Sequence, residues 1–143
     1  MLSIAREDVN GRSVALPAAG PALLIFADTD CDLCAHLRDQ LTILDDRAQQ
    51  VTTVVFCAGQ YDDVTAWAAR APAHVNVIHD HKAGIAHRYD INGTPFTVSV
   101  DREGRVAAKG IVNTEHGLIS AADEAVTPAR MIDPGQLGKV KQT

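Results

Sequence analysis

The sequence predicts an α/β fold, a mixed central sheet flanked by helices with a β-hairpin ahead of it. Three observations predict it. Apolar, β-branched runs at Leu23–Ala27 and Val51–Ala58 alternate with segments of helical spacing. The early strands are separated by whole helices, as parallel crossovers require. The last two strands lie close together around Asp101-Arg102-Glu103-Gly104, a turn that makes an antiparallel hairpin.

Taken in order, Ile4–Val9 and Ser13–Leu16 flank Asn10-Gly11, a favoured two-residue turn. The stretch from Pro17 to Pro21 connects this hairpin to Leu23–Ala27, which is apolar without alternation, as in a strand buried on both faces. A helix is expected from Cys31 to Gln50, with Asp30 as its N-cap and Leu33, Leu37, Leu41 and Leu44 as its stripe. Val51–Ala58 is the next strand, ended by Gly59. Asp62 and Asp63 open a helix through Ala71, with Val64, Trp67, Ala68 and Ala71 on one face and Pro72 closing it. Val75–Ile78 reads as a short strand, and Lys82–Tyr89 as a short helix with Ile85 and Tyr89 in the core. Phe96–Val100 and Arg105–Lys109 form the late hairpin. Thr114–Ala125 is a final helix, with Leu118, Ile119 and Ala122 as its apolar stripe. Pro, Gly and Lys then replace any pattern, so residues 1–126 read as one domain and 127–143 as a loosely packed tail.

Composition narrows the function. The net charge is −5, and the base is not clustered, which argues against a nucleic-acid surface. No apolar stretch approaches the ~20 residues of a membrane span. Met1–Arg6 lacks the charged head and apolar middle of a signal peptide. Three cysteines are too few for a disulfide scaffold. Two of them, Cys31 and Cys34, are separated by Asp32-Leu33 at a strand-to-helix corner, a spacing suited to making and breaking a disulfide. A zinc site would want a second ligand pair, but Cys57 stands alone and His74, His79 and His81 do not make a finger spacing. No metal is expected.

The order strand, CxxC, helix, then Thr94-Pro95 before a hairpin resembles the thioredoxin fold, and the Asn10-Gly11 hairpin ahead of it resembles the TlpA-like and peroxiredoxin-like branch. Leu23-Leu24-Ile25-Phe26 with Cys31-Asp32-Leu33-Cys34, and the stretch from Asp101 to His116, are similar to the MauD-like family, across most of residues 8–125. The resemblance implies a thiol–disulfide oxidoreductase. Its partners would be client protein thiols or disulfides and a redox partner protein. The dithiol itself carries the electrons, so no cofactor is expected. Proteins of this family usually carry an N-terminal anchor. The implied location is extracytoplasmic, periplasmic or membrane-tethered, if a leader is missing from this chain, and cytoplasmic if the chain is complete. There are departures. The acid that thioredoxin carries six residues before its first Cys is here Ile25, its Trp is Asp30, and its Gly-Pro is Asp32-Leu33.

Within that frame each residue has a chemical reading. Only a thiolate attacks a disulfide. Cys31 is placed at a helix N-terminus, where unpaired N–H groups favour an anion, so it is the expected nucleophile. Cys34, one turn inside, is the expected resolving thiol. Asp28, Asp30 and Asp32 crowd the pair, with no Lys or Arg nearer than Arg38, and like charge opposes the thiolate. A less stabilised dithiol is a more reducing one. The resemblance implies that the Thr94–Pro95 peptide is cis and lies against the CxxC, where the backbone of Thr94 would offer hydrogen bonds to an extended peptide. Cys57 ends its strand at the same sheet edge. It reads chiefly as an inert core residue, with an alternative resolving thiol as the sharper reading. His79-Asp80-His81 reads as a solvated loop rather than a metal pair, and His36 and His87 as helix-surface residues. Trp67 and Tyr89 read as core.

Two other functions fit the residues less well. A thiol peroxidase motif places Thr three residues before the attacking Cys. Here Thr29 stands two before Cys31, Asp28 holds that slot, and no Pro is close. Metal-binding modules on this fold use a wider cysteine gap with a remote His, although copper(I) accepts two thiolates.

Overall fold

The computed structural model describes residues 3–127. A two-stranded sheet, β1 (Ile4–Glu7) against β2 (Ser13–Leu16), precedes the main sheet. The main sheet contains β3 (Ala22–Asp28), β4 (Thr52–Ala58), β5 (Asn76–His79), β6 (Phe96–Val100) and β7 (Val106–Gly110), in the spatial order β5-β4-β3-β6-β7. β3, β4 and β5 are parallel, while β6 runs antiparallel to β3 and β7 antiparallel to β6. The helices are α1 (Asp32–Gln40), α2 (Tyr61–Ala69), α3 (Gly84–Arg88) and α4 (Glu115–Val126). The expected tail lies outside the described residues apart from Thr127.

The period-two alternation of each strand divides the core into two layers. Leu23, Ile25 and Ala27, with Val55, Cys57 and Val77, pack against Cys34, Leu37, Val64, Trp67 and Leu118 of α1, α2 and α4. Leu24, Phe26, Val54, Phe56 and Ile78 face the other way, against Ile4, Val14 and Leu16 of the hairpin and Ile85 of α3. The Phe26 and Phe56 rings stack there at 5.0 Å. Burial on both faces is what the unbroken apolar runs predict.

Several boundaries differ from the sequence reading. The β1–β2 connection is no two-residue turn. Glu7 pairs with Ser13, leaving five residues between the strands. Asp8 organises them: its carboxylate accepts from the backbone N–H groups of Asn10 and Arg12 and from Arg12 Nε, each at 2.9 Å. Arg12 then donates to the carbonyls of Ala73 and Val75 at 2.8 Å, and Val9 N–H to Val77 O at 2.8 Å, so the loop covers the β5 edge.

The helix expected through Gln50 ends as α-helix at Gln40 and continues as a 3-10 segment, Leu41–Arg47. β-branched Thr42 and Ile43 followed by Asp45 and Asp46 are poor helix formers. Three residues per turn still keep Leu41 and Leu44 aligned on the core. Tyr89, expected inside, is 37% exposed, and only Ile85 and Ala86 of its helix are buried. In α4 the buried stripe is Leu118, Ala121, Ala122 and Ala125, with Ile119 only partly covered.

Candidate active site

β3 ends at Asp28, and the chain turns at once. Thr29 N–H bonds Ala58 O at 3.0 Å, the Asp28 carboxylate accepts from Asp30 N–H at 2.8 Å, and Asp28 O accepts from Cys31 N–H at 3.2 Å. Gly59 makes this turn possible. Its φ is +138°, and a Cβ there would run into the Thr29 side chain.

The turn delivers Cys31, extended at φ −100° and ψ 114°, to the N-cap of α1, and its Sγ accepts from Cys34 N–H at 3.1 Å. The cap is therefore the cysteine sulfur and not Asp30, whose own N–H is held by Asp28. A thiolate at this position gains a backbone donor and the positive end of the helix dipole. The Cys31 thiol also donates to Thr94 O at 3.8 Å. Cys31 is partly exposed, Cys34 is buried behind it, and Leu33 stands 51% exposed between them in sequence. Pro95 is buried next to Thr94, and the Thr94–Pro95 peptide is cis, as is Leu16–Pro17.

All three thiols are free. Burial pushes the Cys34 thiol up to about 12, reinforced by the adjacent Cys31, while the Thr94 side chain and the Asp28 backbone pull it the other way. Cys57 lies directly across β3–β4 from Ala27 and is wholly buried in the same apolar layer as Cys34. Burial, then the neighbouring Cys34, pushes its thiol up to about 12 as well. The only hydrogen bond described for its side chain runs from the thiol to Ala58 O, at 3.8 Å.

The four sequence-predicted site residues thus come together. Cys31, Cys34, Thr94 and Pro95 share one corner, reached from β3 and from the start of β6. The strand topology does this: because β6 is antiparallel to β3, its first residues lie beside the last residues of β3, with Phe26 paired to Phe96.

His36 and His87 are exposed on their helices, as expected, and His81 is exposed, but the His79-Asp80-His81 stretch differs from a solvated loop at its centre. His79 is only partly exposed, and its Nε2 lies 2.8 Å from Gly59 O. Asp80 is buried, its carboxylate accepting from Ile85 and Ala86 N–H at 2.7 and 3.1 Å. This is a helix-anchoring residue and not part of a solvated loop. Among the described residues no group of three His, Cys, Asp or Glu is placed to hold a metal. His36 is exposed and lies 2.8 Å from Gln40 Nε2.

Two features escaped the sequence reading. One is the Thr94 side chain, which acts on Cys34. The other is Arg38, buried in α1, with Nε bonded to Asp39 Oδ1 at 2.9 Å and its guanidinium 5.2 Å from the Trp67 ring centre. The spacing Cys34, Leu37, Arg38, Leu41 placed Arg38 on the inward stripe and was the available signal.

Residues 12–122 match the thioredoxin-like domain family. A thioredoxin-like protein of Haemophilus influenzae is 28% identical over 102 residues, 69% of this chain and 61% of that protein. Methylamine utilization protein MauD of Paracoccus versutus is 27% identical over 124 residues, 79% of this chain and 57% of that protein. The chain therefore spans about three fifths of the length of these curated relatives. A secreted disulfide oxidoreductase of Mycobacterium tuberculosis, homologous to E. coli DsbE, has the same fold. Its TM-score is 0.73 at 15% identity, covering 85% of this chain and 95% of that one.

Proposed function

The chain belongs to the thioredoxin-like domain family, and on that premise we propose that it is a thiol–disulfide oxidoreductase acting on protein cysteines. Residues 1–126 form the working domain. One observation carries the reading: a partly exposed Cys31 Sγ caps α1 at 3.1 Å from Cys34 N–H, with Cys34 buried one turn behind it. The Cys31 thiolate attacks one sulfur of a client disulfide. The client S–S bond breaks, its other sulfur leaves as a thiolate and takes a proton, and a mixed disulfide with Cys31 forms. Cys34 loses its proton as it attacks Cys31 Sγ. The second client sulfur departs, leaving the Cys31–Cys34 disulfide. The dithiol has given up two electrons and the client has gained them. A redox partner protein returns the pair to its starting state, and the reverse sequence oxidises a client.

Thr94 and Pro95 form the client platform. Thr94 O, 3.8 Å from Cys31 Sγ, accepts from the thiol in the free protein and is placed to accept a backbone N–H of an extended client. Exposed Leu33 adds an apolar contact beside the nucleophile. The likeness to MauD supports a role in maturing a disulfide-containing protein.

The test is trapping. Cys34→Ser removes the resolving attack and is expected to accumulate mixed disulfides with clients in an extract, reversible by reductant, while Cys31→Ser accumulates none. Equal trapping by both variants, or by neither, refutes the assignment.

A further inference from the structure

We propose that His79 is a positioning residue for the dithiol chemistry, holding from β5 the loop on which the Cys31 turn rests. The inference depends on the reading of Cys31 as nucleophile and adds to it the support that fixes where the sulfur stands.

The carboxyl ends of three parallel strands meet at this edge. Thr29 follows β3, Gly59 follows β4 and His79 ends β5, and all three line one pocket of about 440 Å³. Backbone pairing runs out here. Asp80 N–H bonds Cys57 O at 2.9 Å, and the chain then leaves the sheet for the 3-10 turn His81–Ala83. With Cys57 opposite His79, Gly59 falls level with His81, which has already turned away. The His79 side chain takes the Gly59 acceptor instead, its Nε2 lying 2.8 Å from Gly59 O. A carbonyl oxygen only accepts, so Nε2 carries the hydrogen. Two edge-on contacts fix the ring, Tyr61 at 5.5 Å and His81 at 5.9 Å between centres.

Gly59 in turn supports the turn that carries the nucleophile. Its φ is +138°, and the Thr29 side chain fills the space that a Cβ on Gly59 would take. Thr29 N–H is tied to Ala58 O at 3.0 Å. Two residues on, Cys31 N–H bonds Asp28 O at 3.2 Å, and Cys31 Sγ accepts from Cys34 N–H at 3.1 Å. The imidazole therefore acts on the sulfur through Gly59 and Thr29. A hydrogen bond weakens steeply away from its preferred distance and angle, so a turn that drifts weakens the cap on the Cys31 thiolate. Gly59 is partly exposed, and water can replace the imidazole as its donor. What His79 supplies beyond water is a fixed position for the loop. Its removal thus costs reactivity more than stability.

The experiment measures the rate at which hydroxyethyl disulfide oxidises the reduced, folded protein at neutral pH, with stability read in parallel from urea unfolding. Cys31 attacks one sulfur of the reagent and releases one mercaptoethanol. Cys34 displaces the second, and the reagent gains the two electrons that the pair loses. His79→Phe keeps a ring against Tyr61 and His81 and removes the donor. It is expected to slow the reaction about 5-fold, the fold-change of one neutral hydrogen bond. His79→Gln restores a donor, because its amide nitrogen stands as many bonds from Cα as Nε2 does. It is expected to return the rate to within about 2-fold of the wild type. Val14→Ala removes packing from the hairpin on the opposite face of the sheet, and is expected to lower stability without slowing the reaction. A wild-type rate in His79→Phe, equal slowing in His79→Phe and His79→Gln, or comparable slowing in Val14→Ala overturns the assignment. If hydroxyethyl disulfide fails to oxidise the wild-type pair at all, the dithiol reading itself fails, and this proposal with it.

Discussion

Cys34 and Cys57 are thiols that their surroundings keep protonated. In the unfolded chain each ionises near its ordinary value of 9.0, and in the folded protein each is pushed up to about 12, chiefly by burial. The folded state therefore prefers the neutral form. That contribution to stability is fully present below pH 9 and is lost as the pH rises from there through about 12. Each thiol steepens the loss by about 1.4 kcal/mol per pH unit within the window. Cys57→Ala costs some core packing at every pH, so the slope is the informative quantity. Urea unfolding of the reduced protein between pH 9 and 11 is expected to show a slope shallower by about 1 kcal/mol per unit in this variant. Identical slopes would mean that Cys57 ionises as readily folded as unfolded. The same burial gives Cys57 a packing role, in line with the plainer of the two readings made for it. Cys34 differs because the Thr94 side chain and the Asp28 backbone favour its thiolate, and the proposed resolving attack needs that thiolate.

At the scale of elements, α3 is held by one side chain, Asp80. It has five residues, too few to be stable alone, and follows Lys82 and Ala83, both left-handed at φ 53° and 56°. Neither residue favours that region. Asp80 offsets the cost by accepting from Ile85 and Ala86 N–H in the buried layer. Asp80→Ala leaves both donors buried and unpaired and is expected to destabilise the protein by about 2–4 kcal/mol, read from chemical unfolding. Asp80→Asn keeps one acceptor and is expected to lose less. A loss no larger for Ala than for Asn would show that the carboxylate is not what holds α3. The sequence offered His79-Asp80-His81 as a polar cluster, and nothing local distinguished a buried cap from a solvated loop. A cap five or six residues ahead of the N–H groups it serves is set by the fold. By contrast, the β3 and β4 runs and the Val64, Trp67, Ala68 stripe were legible because burial on one or both faces is written directly in apolar spacing.

At the scale of the whole molecule, charge decides how the dithiol is poised. The net charge is −5, and Asp28, Asp30 and Asp32 flank Cys31 in sequence. The nearest cation in sequence, Arg38, is committed to Asp39 and Trp67. Cys31 receives a helix N-terminus and one backbone donor. Strong oxidants of this chemistry owe their potential to a stabilised reduced form. This site offers less of that stabilisation, so its midpoint is expected to be more negative than about −180 mV, measured by equilibration in defined thiol–disulfide buffers. A midpoint near about −120 mV, the range of the strongest oxidants, would refute this account of the charges.

The sequence by itself determined the strand–helix alternation, the late hairpin, the Cys31–Cys34 pair at a strand-to-helix corner, and Thr94-Pro95 ahead of the last hairpin. These are local facts: periodicity, turn chemistry and spacing within a few residues. Only the tertiary structure decided which groups face each other. The antiparallel placement of β6 beside β3 sets Thr94 against Cys31 across 63 positions of chain. The parallel register of β3 and β4 puts Cys57 in the layer behind Cys34. The close approach of Thr29 to Gly59 passes the N-cap from Asp30 to the sulfur of Cys31. Propensity acts along the chain, whereas the surroundings of a thiol are set by contacts between segments far apart in it.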